Sequence, residues 1–303
     1  MRTVALKVDV CTHDGMRDGV PRLLALLAQR RVKASFFLSF GPDNSGKAVK
    51  NLLRPGFLKK MVKSSAPSMY GVRTMLSGTL LPARPIATRH PDLVRRIAAE
   101  GHEVAVHAWD HRRWQDHLER MEVAEIEAHF AQSFSAFESI LGRAPKAVGA
   151  AAWTVTPQSL RVADELALDY AADLRGGPPC ALRVEGRALK TPQIPTTGRC
   201  IEELLTLGVR GEADLARALL DDLAANDPAV LAVHAEVEGG PFGAVLDALL
   251  ATFADRGVAV RTLAEIAAAL RGSDLPERDL GYVELPGRSG TVATAIAPGT
   301  PRV

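Results

Sequence analysis

Histidine and acidic side chains follow short apolar runs at several points of this chain. Residues 101–111 read GHEVAVHAWDH and place His107 and His111 four positions apart, directly after an apolar run. Two imidazoles at this spacing share one face if the segment turns into a helix, and they can then bind one divalent ion. Such an ion can activate water or polarise a carbonyl group. The pair therefore predicts a metal site, although the same spacing is also common on solvated helix surfaces.

Three further candidates occupy comparable positions. Asp9 ends the run VALKVDV, Asp173 ends LDYAAD and His234 ends AVLAVH. The carboxyl ends of parallel strands converge on one mouth of a barrel, so we expect these side chains to lie near His107. Packing alone is a poor explanation for them, because a buried ionisable group needs partners that offset its loss of hydration.

Short β-branched runs alternate with longer segments of helical period along the chain. Predicted strands are 4–10, 33–40, 102–107, 146–151, 168–173, 189–194 and 229–234. Predicted helices are 19–32, 90–101, 122–142, 211–226, 241–257 and 262–272. This alternation is typical of a repeated strand and helix fold with a mainly parallel sheet.

The composition is that of an ordinary globular protein, with 303 residues, 47% hydrophobic content and 24% charged residues. Lys plus Arg (37) nearly balance Asp plus Glu (35), so no global positive field favours nucleic acid. The three cysteines are too few and too scattered for a disulfide framework, which favours a reducing compartment. We expect no signal peptide and no membrane span, and hence a protein that is soluble or lies on a membrane surface.

Several motifs together resemble the polysaccharide deacetylase family, the nodulation-type amide hydrolases. They are KVDVCT (7–12), GHEVAVHAWDH (101–111), ADLRG (172–176) and VHAEVEG (233–239). Within that family, the chain is similar to the 4-deoxy-4-formamido-L-arabinose-phosphoundecaprenol deformylases in GVPRLL (19–24), GPDN (41–44), HAWDH (107–111), QIP (193–195) and HAEVEG (234–239). The resemblance spans about residues 2–270. It implies an α/β fold of the polysaccharide deacetylase type, a distorted (β/α) barrel of about seven parallel strands.

The resemblance also implies roles for individual residues. Asp9 would be the general base that activates water, and His234 the general acid that protonates the leaving amine. His107 and His111 would hold a divalent metal ion (Zn, Mn or Co), whose identity stays open. Amide hydrolysis needs a nucleophile, stabilisation of an oxyanion and a proton for the leaving group, and these groups supply all three.

Five further residues are candidates to support the site or to contact the sugar. Asp173 and Arg175 match an Asp-x-Arg element that orients active-site residues in the family, although a buried ion pair joining two strand ends is an alternative. Trp153 matches a family tryptophan. Glu236 could orient the acid or another site group, and Glu238 could bind sugar hydroxyls.

Cys11 departs from the family pattern, because the family usually has a metal-binding aspartate at this position. Its thiolate could bind Zn²⁺. Alternatively, Cys11 is a small buried residue and the metal is held weakly by two histidines and water. A third alternative is that His13 or Asp14 from the same loop replaces the missing ligand.

Thr154 is the second departure, since relatives carry an arginine there that pairs with the catalytic acid or base. Threonine cannot supply that cation. Either Arg175 balances the charge instead, or the pKa of Asp9 is higher and the enzyme is slower at neutral pH.

Residues 1–271 are predicted to form one catalytic domain, and 272–303 an extended or partly disordered tail rich in Gly, Pro and Thr. Within the domain, 54–85 is a basic, amphipathic insertion. Its basic residues are Lys59, Lys60, Lys63 and Arg73. Their mixing with apolar side chains favours contact with an anionic membrane surface, and an irregular lid over the barrel mouth is the alternative.

The resemblance implies a metal-dependent hydrolase that removes the formyl group from undecaprenyl phosphate-linked 4-deoxy-4-formamido-L-arabinose. It also implies a cytoplasmic location, peripheral on the cytoplasmic face of the inner membrane, and a role in lipid A modification in lipopolysaccharide biosynthesis, with resistance to cationic peptides. One alternative is a deacetylase of another N-acylated sugar. The other is a catalytically weak sugar-lipid binding homologue, which the residues Cys11 and Thr154 favour.

Overall fold

The computed structural model describes residues 2–48 and 73–300. The strands are β1 (Thr3–Val10), β2 (Ser35–Ser39), β3 (Glu103–Ala108), β4 (Ala147–Val148), β5 (Tyr170–Ala171), β6 (Ala181–Val184), β7 (Arg187–Ala188), β8 (Ala229–His234), β9 (Ala259–Arg261), β10 (Glu277–Glu284) and β11 (Thr291–Ile296). The α-helices are α1 (Val20–Arg30), α2 (Pro91–Ala99), α3 (His111–His117), α4 (Val123–Leu141), α5 (Pro157–Asp164), α6 (Ile201–Thr206), α7 (Glu212–Leu223), α8 (Gly243–Asp255) and α9 (Leu263–Leu270).

Seven strands form the main sheet, in the order β5-β4-β3-β2-β1-β8, with β9 paired to the start of β1. Every pair in this sheet is parallel. The sheet curls into an incomplete barrel, which confirms the predicted distorted barrel of about seven parallel strands. Parallel strands of this kind place their carboxyl ends at one edge, so residues that follow β1, β3 and β8 come together.

Alternation along β1 sends its side chains into two environments. Leu6 and Val8 pack in the larger core, where the covering helices α1 and α8 also bury their apolar faces. Ala5 lies on the opposite face, in a smaller cluster inside the barrel that includes Phe37. Lys7 and Asp9 share the face of Ala5, so the strand directs both charged side chains into the barrel interior.

The chain beyond Gly272 differs from the prediction of an extended or partly disordered tail. Strands β10 and β11 form an antiparallel hairpin, and β10 pairs with β6 in a second sheet of order β11-β10-β6-β7. The hairpin is ordered because its inward-facing residues Leu280 and Ala293 are buried against Leu174 and Leu182. Composition alone predicts disorder here because it does not reveal this buried face.

Residues 189–194, predicted as a strand, form no strand of the main sheet. Gln193 instead makes isolated bridges to Ala171 and to Cys180, so this segment connects the two sheets.

The predicted insertion 54–85 falls largely outside the described residues, since 49–72 are not described. Arg73 is exposed. After it, Thr74 and Arg84 both bond to the carboxylate of Asp14, so this end of the insertion packs against the loop that follows β1. Within the described residues, no helix has the length and apolar character needed to cross a bilayer.

Candidate active site and metal centre

The side chains predicted to converge do so at the carboxyl edge of the main sheet. Asp9 of β1 lies directly beside His234 of β8 in the parallel register. His107, near the end of β3, lies close enough to Asp9 to influence the pKa of that carboxyl. Asp9 and His107 are 2% and 6% exposed, so both groups act in an environment from which most water is excluded.

Asp9 is paired with a lysine from its own strand. The Nζ atom of Lys7 lies 2.5 Å from Oδ1 and 2.7 Å from Oδ2 of Asp9. Burial opposes ionisation of Asp9, but Lys7 above all, followed by His107 and His234, brings the pKa of this carboxyl below its ordinary value. The carboxylate is therefore ionised and available to accept a proton.

Cys11, His107 and His111 form a group that could hold a metal ion, since one ligand atom from each lies within 4.8 Å of the other two. His107 Nδ1 donates to the carbonyl of Gly149 at 2.7 Å, which leaves Nε2 for a metal. Burial lowers the pKa of His107 to about 4 and that of His111 well below its ordinary value, so both imidazoles are neutral, the form that binds metal.

Burial, reinforced by the charges of Glu236 and Asp9, raises the pKa of the Cys11 thiol well above its ordinary value. The thiol is therefore protonated unless a cation binds beside it, because a coordinating metal ion deprotonates a thiol. Two nitrogens and one sulfur are a donor set that suits a zinc-like ion. These residues thus fit a divalent metal, and binding at Cys11 would release a proton.

His13 and Asp14 lie outside the groups of described residues that could hold a metal ion. His13 Nδ1 bonds to the carbonyl of Pro85 at 2.7 Å, and the carboxylate of Asp14 pairs with Arg84 and Arg17. The alternative that recruits these residues as ligands therefore has no support in this geometry.

His234 faces a carboxylate that the sequence reasoning missed. Its Nδ1 atom lies 3.1 Å from Oε1 of Glu202, near the start of α6. Burial opposes protonation of His234, but Glu202 first, then Asp9 and Glu238, outweigh burial and raise its pKa to about 10. The imidazole is therefore a proton donor at neutral pH. The acidic pair that opens a helix after Cys200 was the signal that could have revealed Glu202.

Cys200, Glu202 and His234 form a second group with ligand atoms within 4.8 Å of one another. The Cys200 sulfur accepts the backbone N–H of Glu203 and so caps α6. Because Glu202 and His234 already form an acid and imidazole pair, helix capping and proton donation account for this group.

Asp173 and Arg175 do not form the buried ion pair considered as an alternative. Asp173 accepts the backbone N–H of Ala150 at 2.8 Å and the side-chain amide of Gln193 at 3.0 Å. Arg175 makes two contacts of 3.0 Å to the carboxylate of Glu203. Asp173 and Arg175 therefore have separate partners, and each stabilises a different part of the chain around the site.

Arg175 does not take the place of the arginine expected at Thr154, since its charge is paired with Glu203. The pKa of Asp9 is not raised either, because Lys7 outweighs the effect of burial. The cation paired with Asp9 is therefore Lys7, inside the barrel. The effect of Thr154 on activity stays a prediction.

Trp153 is buried and surrounded by cations. Its ring centroid lies 4.5 Å from Arg175, 4.7 Å from Arg288 and 5.5 Å from the Lys7 ammonium. Arg288 belongs to the turn between β10 and β11 and also donates to the carbonyl of Ala152 at 3.1 Å. The hairpin thus brings to the site a guanidinium that sequence reasoning did not place there.

The two glutamates after His234 hold backbone rather than sugar. Glu236 Oε1 accepts the backbone N–H of Cys11 at 3.1 Å and the hydroxyl of Thr12 at 2.7 Å. Glu238 is 3% exposed and accepts the backbone N–H of His234 at 2.8 Å. Glu236 therefore positions the loop that carries Cys11. Glu238 is too buried for the predicted contact with sugar hydroxyls.

Three of the predicted membrane residues, Lys59, Lys60 and Lys63, lie outside the described residues. Arg73, the fourth, is exposed.

Comparison with known proteins agrees with this geometry. A family model described as polysaccharide deacetylase matches residues 1–171. A probable 4-deoxy-4-formamido-L-arabinose-phosphoundecaprenol deformylase of Shewanella sediminis is 30% identical over 287 residues, which are 95% of this chain and 92% of the relative. A protein of the same description from Wigglesworthia glossinidia brevipalpis is 24% identical, over 92% of this chain and 97% of the relative. The crystal structure of a Mycobacterium smegmatis protein assigned to the polysaccharide deacetylases has a TM-score of 0.64 at 21% identity, and the match covers 93% of this chain and 94% of that one.

Proposed function

Because the chain belongs to the polysaccharide deacetylase family and is a hydrolase of non-peptide carbon–nitrogen bonds, we propose that it removes the formyl group from a lipid-linked formamido sugar. The substrate proposed is undecaprenyl phosphate-linked 4-deoxy-4-formamido-L-arabinose. One observation carries the proposal: a carboxylate, an imidazole paired with a glutamate and three residues that could hold a metal ion meet at one edge of the sheet. These are the three functions that amide hydrolysis requires.

In the proposed reaction Asp9 accepts a proton from the attacking water, whose oxygen forms a bond to the formyl carbon. His234 donates a proton to the amide nitrogen as the carbon–nitrogen bond breaks, so formate and a free amine leave. Lys7 keeps Asp9 ionised and Glu202 keeps His234 protonated, which places the base and the acid in their working forms at the same pH.

Cys11, His107 and His111 would hold the divalent ion in this proposal. When bound, the ion would polarise the formyl carbonyl and stabilise the negative charge that develops on its oxygen. The sulfur ligand favours Zn²⁺ or Co²⁺ over Mn²⁺, since thiolates bind the softer ions better.

The identity of the sugar rests on the two deformylases, which match this chain along nearly its whole length. The proposed role is accordingly lipid A modification, at the cytoplasmic face of the inner membrane.

For the membrane contact itself we propose the basic residues Lys59, Lys60, Lys63 and Arg73, because clustered cations bind anionic lipid surfaces. Co-sedimentation with anionic vesicles would test this. A triple Lys→Glu variant of the three lysines that sediments like the wild type would rule the contact out.

A second candidate function, weak catalysis with sugar-lipid binding, is favoured by the high pKa of the Cys11 thiol. A ligand that must lose a proton to bind metal gives a site of lower affinity at neutral pH than a carboxylate would. A deacetylase of another N-acylated sugar is the remaining alternative.

The experiment that tests the proposal is formate release from the formamido-arabinosyl lipid by metal-stripped protein reloaded with Zn²⁺, Co²⁺ or Mn²⁺. We expect release that depends on metal and is abolished in His107→Ala. Cys11→Asp and Cys11→Ala distinguish the roles of the thiol: a ligand role predicts loss of metal in Cys11→Ala and retention in Cys11→Asp. Substrate binding without release under any metal would instead establish the binding protein, and acetate release from an N-acetyl sugar would establish the deacetylase.

A further inference from the structure

Lys7 is an unusual residue for its position. It lies in the middle of β1, between Leu6 and Val8, and none of its surface is exposed. A fully buried ammonium is costly unless a charge partner is in contact with it, and breaking such a pair leaves an uncompensated charge. The contacts of Lys7 should therefore explain why the strand contains a lysine at all.

The ammonium of Lys7 contacts the carboxylate of Asp9. Its Nζ atom lies 2.5 Å from Oδ1 and 2.7 Å from Oδ2. Two aromatic rings also lie near the ammonium, with the Phe37 ring centroid at 4.7 Å and the Trp153 ring centroid at 5.5 Å. Aromatic faces attract a cation without competing for its hydrogen bonds.

The fold leaves space for this side chain. A Cβ atom added at Gly149 would lie 3.1 Å from Cε of Lys7 and 2.8 Å from the ring of Phe37. Gly149 also provides the carbonyl that orients His107. A single glycine thus accommodates the lysine and aligns a metal ligand, so the arrangement belongs to the site and not only to the core.

We propose that Lys7 is a positioning residue for hydrolysis: it fixes both carboxylate oxygens of Asp9 from inside the barrel, so that this group meets the attacking water in one orientation. Lys7 acts through Asp9 and does not contact the substrate. This inference rests on the proposed role of Asp9 as the base. Lys7 lies on the same strand as Asp9, two residues earlier, and the alternation of side chains along a strand places both on one face.

The test compares two variants. Lys7→Met keeps the approximate length of the side chain and removes its charge, whereas Lys7→Arg keeps the charge. Lys33→Met, at an exposed lysine, is the matched control. We expect Lys7→Met to lower kcat about 100-fold with little change in KM or bound metal, since misplacing a reacting group by about 1 Å costs this much. Lys7→Arg should retain more activity than Lys7→Met. Equal kcat in wild type and Lys7→Met would overturn the inference.

Thermal unfolding of Lys7→Met, Asp9→Asn and the double variant gives a readout that needs no substrate. Each single variant should melt roughly 10 °C lower because one buried charge loses its partner, and the double variant should melt above both. Additive losses would overturn the ion pair. If the wild type hydrolyses no substrate, the proposed function fails, whereas this cycle still reports on Lys7 and Asp9.

Discussion

The charge of His234, the proposed acid, depends on a neighbouring carboxylate as much as on the imidazole ring itself. The side chain of His234 is only 14% exposed, and this loss of hydration by itself would favour the neutral imidazole, but Glu202 at 3.1 Å reverses that outcome. Its pKa of about 10 means that the ring is almost fully protonated up to about pH 9. The carboxylate therefore sets the upper pH limit at which the enzyme has a proton to donate.

Glu202→Gln should lower that limit. Burial lowers the pKa of His234 and the charge of Glu202 raises it, so removing that charge lowers the pKa. The imidazole then loses its proton at a lower pH. We expect the alkaline limb of the kcat profile to move down by about one pH unit or more.

The matched control is Glu165→Gln, at an exposed carboxylate paired with Lys190. It should leave the profile where it is. An alkaline limb that stays in place in Glu202→Gln would show that another group donates the proton.

The helix α3 carries a candidate metal ligand, His111, on its first residue, so the position of its N-terminus matters for the site. Asp110 caps it by accepting the backbone N–H of Arg113 at 2.9 Å, and the same carboxylate accepts the side-chain amide of Asn44 at 2.6 Å. His111 follows directly. The cap therefore determines where the second imidazole stands relative to His107.

Asp110→Ala should lower the free energy of unfolding by about 1 kcal/mol, the usual value of a helix cap. We also expect metal affinity to fall roughly 10-fold, because a residue that orients a ligand typically contributes that much. Isothermal titration with Zn²⁺ or Co²⁺ measures the second effect.

Thr262→Ala is the matched control, since Thr262 caps α9 through the N–H of Glu265, and α9 carries no candidate ligand. It should lose stability to a similar extent and keep its metal affinity. Equal metal affinity in Asp110→Ala and Thr262→Ala would mean that the cap does not position His111.

The two sheets of the molecule meet around Trp153. Val292 of β11 packs against this indole, and Arg288 from the adjoining turn lies over it. Gly287 makes the turn possible, because its φ of +86° favours glycine and an added Cβ would lie 2.5 Å from the carbonyl oxygen of Glu203. The hairpin is thus part of the wall of the site.

A chain that ends at Arg271 should therefore be both less stable and less active than the full chain. It would expose Leu174 and Leu182, remove Arg288 and leave Trp153 uncovered. We expect a lower melting temperature and a lower kcat/KM, measured by thermal unfolding and formate release. Unchanged values would support the boundary at 271 predicted from composition.

Much of this organisation could be predicted from residue types and spacing. The apolar periods located α1, α2, α4 and the strands β1, β3 and β8, because burying one face of an element forces a repeat that is visible locally. The same periods placed Asp9, His107 and His234 at strand ends. Parallel strands then required those ends to meet at one edge.

The partners of these groups were decided only by the tertiary structure. Glu202 lies 32 positions before His234, and Arg288 reaches Trp153 from a hairpin 135 residues away, so no local pattern connects either pair. Lys7 is only two residues from Asp9, yet a lone lysine in an apolar strand does not reveal that its ammonium is buried. Ionisation depends on which charges lie within a few ångströms in a dry interior, and that is a property of the folded chain. The sequence therefore determined which groups could do chemistry. The fold determined the charge states of these groups and the residues that position them.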